Sequence, residues 1–255
     1  IKIKSMNEKI SYAKTVYGQE EIDAVVNCLK ESTQMGKYTR EFESKIAEIF
    51  NKKYGLFVNS GSSALYLGIE SFNFPPGKEV ITPVLTFSTT VGCLIKNNLV
   101  PVFVDVEPLT YCIDASQIER YINKNTVAIL APNLLGNICD WPKIRELADK
   151  YNLKVIEDSA DTLGARFKNG KKTGQYTDMS ITSFYGSHII NCAGNGGALT
   201  INNDEVMKKA KLLRSWGRSS SLFDEKSEDI DKRFNINLSG IEYDSKFVFE
   251  NIGYN

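Results

Sequence analysis

Short apolar segments alternate with amphipathic segments along residues 54–215, and this alternation limits the fold more than any other feature of the chain. The apolar segments carry few internal charges, which is typical of strands buried on both faces of a sheet. In chain order they are YGLFVNS, KEVITP, VPVFVDV, TVAILAP, LKVIED, DMSITSF and GALTIN. We therefore predict an α/β fold whose mostly parallel seven-stranded sheet carries helices on both faces, joined by right-handed crossovers.

The segments between and around these strands predict helices. QEEIDAVVNCLKES and TREFESKIAEIFN place apolar residues at helical spacing, as do CDWPKIRELADKYN and DEVMKKAKLLRSW. DASQIERYI adds a capping box between Asp114 and Gln117. The polar residues 217–239 predict a long surface loop. We expect an N-terminal helical arm and sheet cover over residues 1–52 and a large domain over residues 53–255.

Composition excludes several classes of function. Positive and negative side chains balance at 31 each, which gives no sign of a nucleic-acid or membrane partner. No apolar run reaches the roughly 18 residues that a membrane span needs, and no signal peptide is visible, so we expect a cytoplasmic protein. Five widely spaced cysteines without a CxxC pair argue against a disulfide framework and against a metal site.

Ligands of open α/β sheets bind beyond the carboxyl ends of the strands, and chemically suggestive residues follow four of these strands. Gly61, Ser62 and Ser63 follow YGLFV and precede a helix, so they could form a phosphate cradle, although a plain serine N-cap would look the same. Phe87 follows the next strand, where it could cover a planar ligand or belong to the core.

The other two strand ends carry groups that could handle charge and protons. Asp158 and Asp161 follow VIE and could hold a cationic ring nitrogen, or one of them could simply cap a helix. Ser183 could return a hydroxyl to the same phosphate. His188, the single histidine of the chain, could move a proton or could be a satisfied structural side chain. Together these groups match the needs of pyridoxal 5'-phosphate.

The motifs SGSSAL, TF, VPVFVDVEPLTY, LLGN, IEDSADTLGA, SFYGSH, GNGG, WGR, KRF and IGYN occur in this order. In this the chain resembles the DegT/DnrJ/EryC/StrS sugar aminotransferase family. The resemblance implies a fold-type I pyridoxal phosphate enzyme that works as a homodimer with shared active sites. It also implies a smaller C-terminal domain, which would begin about where this sequence ends and is missing from it.

Carried over from that family, residues 61–63 and Ser183 would bind the phosphate, Phe87 would stack on the ring, and Asp158 would hold the pyridine nitrogen. Asp161 stands near the cofactor, where the aminotransferases usually have glutamine. The resemblance breaks at His188, because the aminotransferases have a lysine there that binds the cofactor covalently. Imidazole cannot form that stable link, so the cofactor would be held noncovalently, most usefully as pyridoxamine 5'-phosphate.

With a histidine at this place, the chain resembles the 3-dehydratase branch of the family. That branch acts on nucleotide-linked 4-keto-6-deoxyhexoses in deoxysugar (O-antigen or polysaccharide) biosynthesis. The resemblance implies glutamate as the amino donor. The pattern is most similar to the CDP-4-keto-6-deoxyglucose 3-dehydrase group, whose iron–sulfur cysteines lie between WGR and KRF. Here that interval is SSSLFDEKSEDID, and no cysteine follows Cys192, so we expect no cluster. That leaves the mechanism of the cluster-free GDP-4-keto-6-deoxymannose 3-dehydratase.

Two enzyme activities and one non-enzymatic role therefore remain open from the sequence. The leading prediction is the 3-dehydratase. A nucleotide-sugar aminotransferase of the same family, or a cofactor-binding fragment without catalytic activity, are the alternatives. A second departure, GNGG in place of the family's GEGG and one residue further from His188, predicts a different loop after the histidine.

Overall fold

Seven strands form the central sheet in the computed structural model of this protein, which describes residues 14, 16–31, 35–222, 233–234 and 236–255. The strands of this sheet are Tyr54–Val58 (β1), Glu79–Pro83 (β2), Val100–Val104 (β3), Thr126–Pro132 (β4), Lys154–Asp158 (β5), Met179–Ser183 (β6) and Gly197–Ile201 (β7). Their order across the sheet is β1-β7-β6-β5-β4-β2-β3. Each of the predicted apolar segments contributes one strand.

The sheet is parallel except at β7, which runs antiparallel to both of its neighbours, β1 and β6. The connection from β6 to β7, residues 184–196, contains no helix among the described residues. The chain therefore turns back at the edge where β6 ends instead of crossing over, and such a return makes neighbouring strands antiparallel. The prediction of a mostly parallel seven-stranded sheet is confirmed.

Helices cover both faces of this sheet. They are Gln19–Glu31 (α1), Lys37–Ile49 (α2), Gly61–Phe72 (α3), Ser88–Lys96 (α4), Trp141–Tyr151 (α5) and Asp204–Arg214 (α6). Successive strand residues point to opposite faces: Val80 and Ile156 enter a core with α3, α4 and α6, whereas Ile81 and Val155 enter a core with α5. This two-sided burial explains why the strands are continuous apolar runs rather than alternating ones.

The N-terminal segment contributes one packed helix. Ile46 and Phe50, on and just after α2, pack with Phe184 and Ala198 of the sheet region. By contrast, α1 buries none of its residues. The predicted sheet cover is thus formed by α2, while the division into an arm and a large domain at residue 52 stays a prediction.

Two local predictions were wrong. DASQIERYI forms only a 3-10 turn at Ile118–Tyr121. The capping box does not form, because the Asp114 carboxylate accepts hydrogen bonds from Ser116 N (2.9 Å) and from the side-chain Nε2 of Gln117 (2.6 Å). The predicted loop 217–239 includes a 3-10 turn, Ser219–Leu222, and the strand Ile236–Leu238 (β8), while its residues 223–232 and 235 lie outside the described part.

The strand β8 belongs to a small hairpin. It pairs antiparallel with Ile241–Tyr243 (β9) through the two-residue turn Ser239–Gly240, whose residues both have positive φ. That combination is the type I' turn that fits the twist of a hairpin. Further 3-10 turns lie at Leu134–Gly136, Thr173–Tyr176 and Ser245–Phe247.

A buried lysine ties the end of α2 to the sheet. Lys52 is only 8% exposed, and its ammonium donates a hydrogen bond to the Thr177 carbonyl. The Thr177 hydroxyl lies 2.8 Å from Ser180 Oγ, which donates to Glu157 Oε2 at 2.6 Å. Burial lowers the pKa of Lys52 to about 8, although nearby Glu157 opposes that shift. Folding therefore disfavours the protonated lysine.

This lysine should give the protein a distinctive dependence of stability on pH. Between pH 8 and 10.5 the unfolded chain holds the Lys52 proton more tightly than the folded chain, so the free energy of unfolding gains a contribution as pH rises. The wild-type value minus that of Lys52→Met should increase by on the order of 3 kcal/mol across this interval. Urea unfolding at a series of pH values measures it. The exposed Lys168→Met serves as the control, and an equally flat difference for both variants would contradict the assignment.

Candidate active site

A cavity of about 630 Å³ opens at the edge of the sheet where the parallel strands end. Residues that follow β1, β2, β4, β5 and β6 line it, and Asn195, just before β7, closes one side. Because β7 is antiparallel, its first residues meet the last residues of its neighbours at this same edge. The cavity thus occupies the position where open α/β sheets bind ligands.

Seven of the eight predicted site residues line this one cavity. They are Gly61, Ser62, Phe87, Asp158, Asp161, Ser183 and His188. The eighth, Ser63, lines a different cavity of about 560 Å³. Ser63 N donates to Ser60 Oγ at 3.0 Å, so Ser60 is the N-cap of α3. The structure therefore combines both interpretations of SGSSAL, an ordinary serine cap followed by a turn that faces the cavity.

The start of α3 packs so closely against β6 and β7 that positions 61 and 197 have room only for glycine. A Cβ on Gly61 would lie 2.7 Å from Ser183 Cβ, and one on Gly197 would lie 2.4 Å from Gly61 N. The first amides of a helix have no acceptor within the helix. With Ser62 Oγ donating to Thr89 Oγ1 at 3.0 Å and Ser183 opposite, amides and hydroxyls meet at one spot suited to an anion.

Asp158 is a buried carboxylate at the end of β5 whose partners are neutral. Its Oδ2 accepts from Thr90 Oγ1 at 3.0 Å, and its Oδ1 accepts from Ala160 N at 3.1 Å. The side chain is nearly inaccessible, at 6% exposure, and this burial raises the pKa of Asp158 to about 6. A cation bound beside it would stabilise the ionised form. Thr90, in the STT run after Phe87, was missed by the sequence analysis.

His188 and Asp161 face each other across the cavity wall. His188 Nε2 lies 3.8 Å from Asp161 Oδ1, and the Tyr185 ring packs edge-on against the imidazole with centroids 5.8 Å apart. His188 Nδ1 is buried and has no hydrogen-bond partner among the residues that the structure describes. Leu135 N donates to Asp161 Oδ2 at 3.1 Å, which holds the carboxylate in place. The imidazole is therefore oriented on one side and unsatisfied on the other.

Phe87 stands at the mouth of the cavity with 69% of its surface exposed. It is the N-cap residue of α4. Because its ring is exposed and not packed into the core, the ring is available to a ligand. The interpretation of Phe87 as a core aromatic is wrong. Thr86 next to it lines the cavity, and its buried hydroxyl has no partner among the described residues.

The cavity contains no lysine among its lining residues in the described part of the chain. Within the same part, no group of three or more histidine, cysteine or acidic side chains is arranged to hold a metal ion. The titratable side chains that line the cavity are Asp158, Asp161, Tyr185 and His188.

Of the described helices, none is both long enough and apolar enough to cross a membrane.

Comparison with known proteins agrees with this geometry. A sequence model of the DegT/DnrJ/EryC1/StrS aminotransferase family matches residues 16–243. The chain belongs to this family. The resemblance drawn from its motifs is confirmed, and with it the assignment of the fold to that of the family's enzymes.

Two curated relatives are named for lipopolysaccharide biosynthesis and for GDP-perosamine synthesis. The chain is 36% identical over 251 residues to the lipopolysaccharide biosynthesis protein RfbH of Salmonella typhimurium, which covers 94% of the chain and 57% of RfbH. It is 36% identical over 211 residues to the GDP-perosamine synthase of Caulobacter vibrioides, with 82% of the chain and 56% of that protein covered. The chain thus spans somewhat more than half the length of these relatives.

Solved structures show the same fold. A GDP-4-keto-6-deoxymannose-3-dehydratase with a trapped PLP-glutamate geminal diamine superposes with a TM-score of 0.84 at 27% identity, covering 97% of this chain and 64% of that one. NtdA of Bacillus subtilis with bound PMP superposes with a TM-score of 0.72 at 30% identity, covering 84% and 50% of the two chains. These neighbours bind the two forms of the same cofactor.

The burial of Asp158 makes a prediction for the ligand-free protein. Its folded pKa of about 6 exceeds the ordinary 3.8, so the stability it contributes is complete below pH 3.8 and is lost as pH rises through 6. The free energy of unfolding of wild type minus that of Asp158→Asn should therefore fall by roughly 2–3 kcal/mol between about pH 4 and 7. Denaturant unfolding measures this. The exposed Asp149→Asn is the control, and a pH-independent difference for Asp158→Asn would count against the assignment.

Proposed function

We propose that the protein is a pyridoxal/pyridoxamine 5'-phosphate-dependent 3-dehydratase that removes the C3 hydroxyl of a nucleotide-linked 4-keto-6-deoxyhexose in deoxysugar biosynthesis. The observation that carries the proposal is His188. His188 lines the cavity, and no lysine lines that cavity in the described part of the chain. The resemblance drawn from the motifs implies that the family's aminotransferases have a lysine at this position.

The cavity fits the cofactor on features of this structure alone. Gly61 lets Ser183 pack directly against the start of α3, because a Cβ there would lie 2.7 Å from Ser183 Cβ and 3.2 Å from Ser183 Oγ, and this brings the Ser183 hydroxyl beside the first residues of the helix. Asp158 is a buried carboxylate whose neutral partners leave its charge uncompensated, and a protonated pyridine nitrogen would supply the cation. Phe87 offers an exposed ring at the mouth. In the proposal, Gly61, Ser62 and Ser183 hold the phosphate, with the Ser63 N–H serving only the helix cap.

The chain's residues would then divide the work among binding, charge control and proton transfer. When bound, pyridoxamine 5'-phosphate would supply an amine for the C4 ketone and a ring that takes up the electron pair left by the departing proton and returns it to expel the C3 hydroxyl. Asp158 keeps the ring nitrogen protonated, and Phe87 holds the ring in place and shields it from water. His188 takes up the proton released from the bound ligand, which is the task that imidazole performs best near neutral pH.

The proposed reaction balances without an iron–sulfur cluster. The C3 hydroxyl leaves as water, and hydrolysis of the released amino product returns the C4 ketone and gives ammonia. The sugar gains two electrons, and glutamate, oxidised to 2-oxoglutarate, supplies them when it restores the amine form of the cofactor. The interval between WGR and KRF contains no cysteine, and this supports the present route over one that draws electrons from iron.

A homodimer with shared active sites belongs to the same proposal. Around the cavity mouth, large apolar side chains are exposed, among them Leu85, Phe87, Leu135 and Ile189. Exposed apolar clusters of this kind commonly mark interfaces. A second subunit covering them would exclude water from the cavity.

A nucleotide-sugar aminotransferase is the second candidate, because the GDP-perosamine synthase of Caulobacter vibrioides is as similar to this chain as RfbH is. Such an enzyme would return the amine to the sugar and leave the hydroxyl in place. The two candidates therefore differ in their products. A cofactor-binding protein without catalytic activity would make neither product.

One incubation separates these possibilities. The natural full-length protein is mixed with pyridoxamine 5'-phosphate, glutamate and GDP-, CDP- or dTDP-linked 4-keto-6-deoxyhexoses, and ammonia and sugar products are measured. We expect ammonia and a 3-deoxy ketosugar in equal amounts, and a rate at least about 100-fold lower for His188→Asn. An amino sugar would establish the aminotransferase instead, and absence of both products would sink the proposal.

A gain-of-link variant tests the role of position 188 directly. His188→Lys should bind pyridoxal 5'-phosphate through a covalent link that borohydride reduction makes permanent, detectable by mass. The wild-type protein should retain no such mass. A matched Ser187→Lys variant places the amine one residue away and should link poorly. Equal labelling of both variants would contradict the assignment of position 188.

A further inference from the structure

The two ring nitrogens of His188 have opposite surroundings. Nε2 faces the carboxylate of Asp161 at 3.8 Å, whereas Nδ1 is buried and finds no hydrogen-bond partner within the described part of the chain. A neutral imidazole carries a proton on one nitrogen and a lone pair on the other. An ionised carboxylate can only accept hydrogen bonds, so it favours the proton on the nitrogen that faces it. We propose that Asp161 is a positioning residue that keeps the His188 proton on Nε2 and thereby leaves the lone pair on Nδ1.

The unpartnered Nδ1 supports this assignment. Native structures rarely strand a buried N–H group away from any acceptor. A protonated Nδ1 would be such a donor, whereas an unprotonated Nδ1 leaves only a lone pair unpaired. The role in turnover rests on the proposed function, while the location of the proton is a property of the chain itself.

The carboxylate of Asp161 is itself held by the fold. Leu135 N donates to its Oδ2, which leaves Oδ1 to face the imidazole. Leu135 adopts a left-handed conformation with φ of 55°, in the short turn that carries this N–H. Thr162 Oγ1, on the residue after Asp161, donates to the Asn133 carbonyl at 2.7 Å and ties the two segments together.

The separation of 3.8 Å exceeds that of a direct hydrogen bond. Catalytic pairs are often this long in ligand-free proteins and shorten when the ligand binds. The electrostatic preference for Nε2–H already acts at this distance. Tyr185, packed edge-on against the ring, limits the freedom of the imidazole to turn away.

An exchange of Asp161 for asparagine should reverse the preference. The amide oxygen would keep the hydrogen bond from Leu135 N, so the amide nitrogen would take the place of Oδ1 and present a donor to Nε2. Nε2 would then need its lone pair, and the proton would move to Nδ1. This reversal distinguishes positioning from a merely structural effect, which would not select between the two nitrogens.

Because the chain has a single histidine, nitrogen-15 labelling of histidine gives an unambiguous NMR signal from His188. In the ligand-free wild-type protein, at a pH where the imidazole is neutral, we expect a protonated Nε2 and an unprotonated Nδ1. Asp161→Asn should reverse or equalise the two forms, Asp161→Glu should retain the wild-type form, and the exposed Asp204→Asn should change nothing. A proton on Nδ1 in the wild type, or identical spectra for wild type and Asp161→Asn, would overturn the proposal.

Activity supplies the second measurement. For whichever sugar is turned over, Asp161→Asn should lower kcat roughly 10- to 100-fold with little change in KM, and Asp161→Glu should recover part of the loss. A rise in KM alone would contradict a positioning role. If no sugar is turned over, the proposed function fails, and the NMR result still decides where the proton lies.

Discussion

The side chain of Asn133 fixes the edge of the sheet on which the cavity is built. This residue is 1% exposed, and its amide group makes four hydrogen bonds. Nδ2 donates to Glu157 and Ser159, and Oδ1 accepts from Cys139 N and Trp141 Nε1. A buried network that is this fully satisfied is rigid, because breaking any member would strand a polar atom away from water. The segments that follow β4 and β5 are thereby held to each other.

Further hydrogen bonds of Asn133 hold the segment that carries the groups that could contact a ligand. Asn133 N donates to the Asp158 carbonyl, and the Thr162 hydroxyl donates to the Asn133 carbonyl. Asp158 and Asp161 lie within this same short segment, so the backbone that carries their carboxylates is fixed by these hydrogen bonds. His188 instead lies on the irregular connection before β7, and among the described residues its imidazole is oriented by contacts with Asp161 and Tyr185. The acidic side of the cavity is preorganised, while the imidazole depends on its neighbours.

The sequence predicts the parts of this structure that follow from local pattern. Apolar runs identify all seven strands of the main sheet, and residues just after the strands include seven that line the cavity. Position alone could not tell that Ser60 caps α3 and that Ser63 lines another cavity, since four neighbouring residues of SGSS all suit a turn.

What the sequence leaves open depends on contacts between distant segments. The antiparallel β7 is set by how residues 184–196 return along one edge, which no periodicity records. In the sequence Asn133 looks like any loop asparagine, although the motif LLGN follows it directly. Thr90 gains its importance only from Asp158, which lies 68 residues further along the chain. Long-range partners of this kind have no signature in the residues themselves.

The electrostatics of the cavity connect the fold with the choice of ligand. Asp158 is withdrawn from water and has only neutral partners, so its ionised form is unfavourable in the ligand-free state, as its raised pKa of about 6 shows. A ligand with a cationic ring nitrogen removes that cost, whereas a neutral ring of the same shape does not. The cavity therefore selects by charge as well as shape. In the proposed function His188 offers no amine for a covalent link, so this selection would carry much of the binding that a lysine would otherwise secure. The burial that destabilises the empty protein is thus the same feature that would hold the cofactor in place.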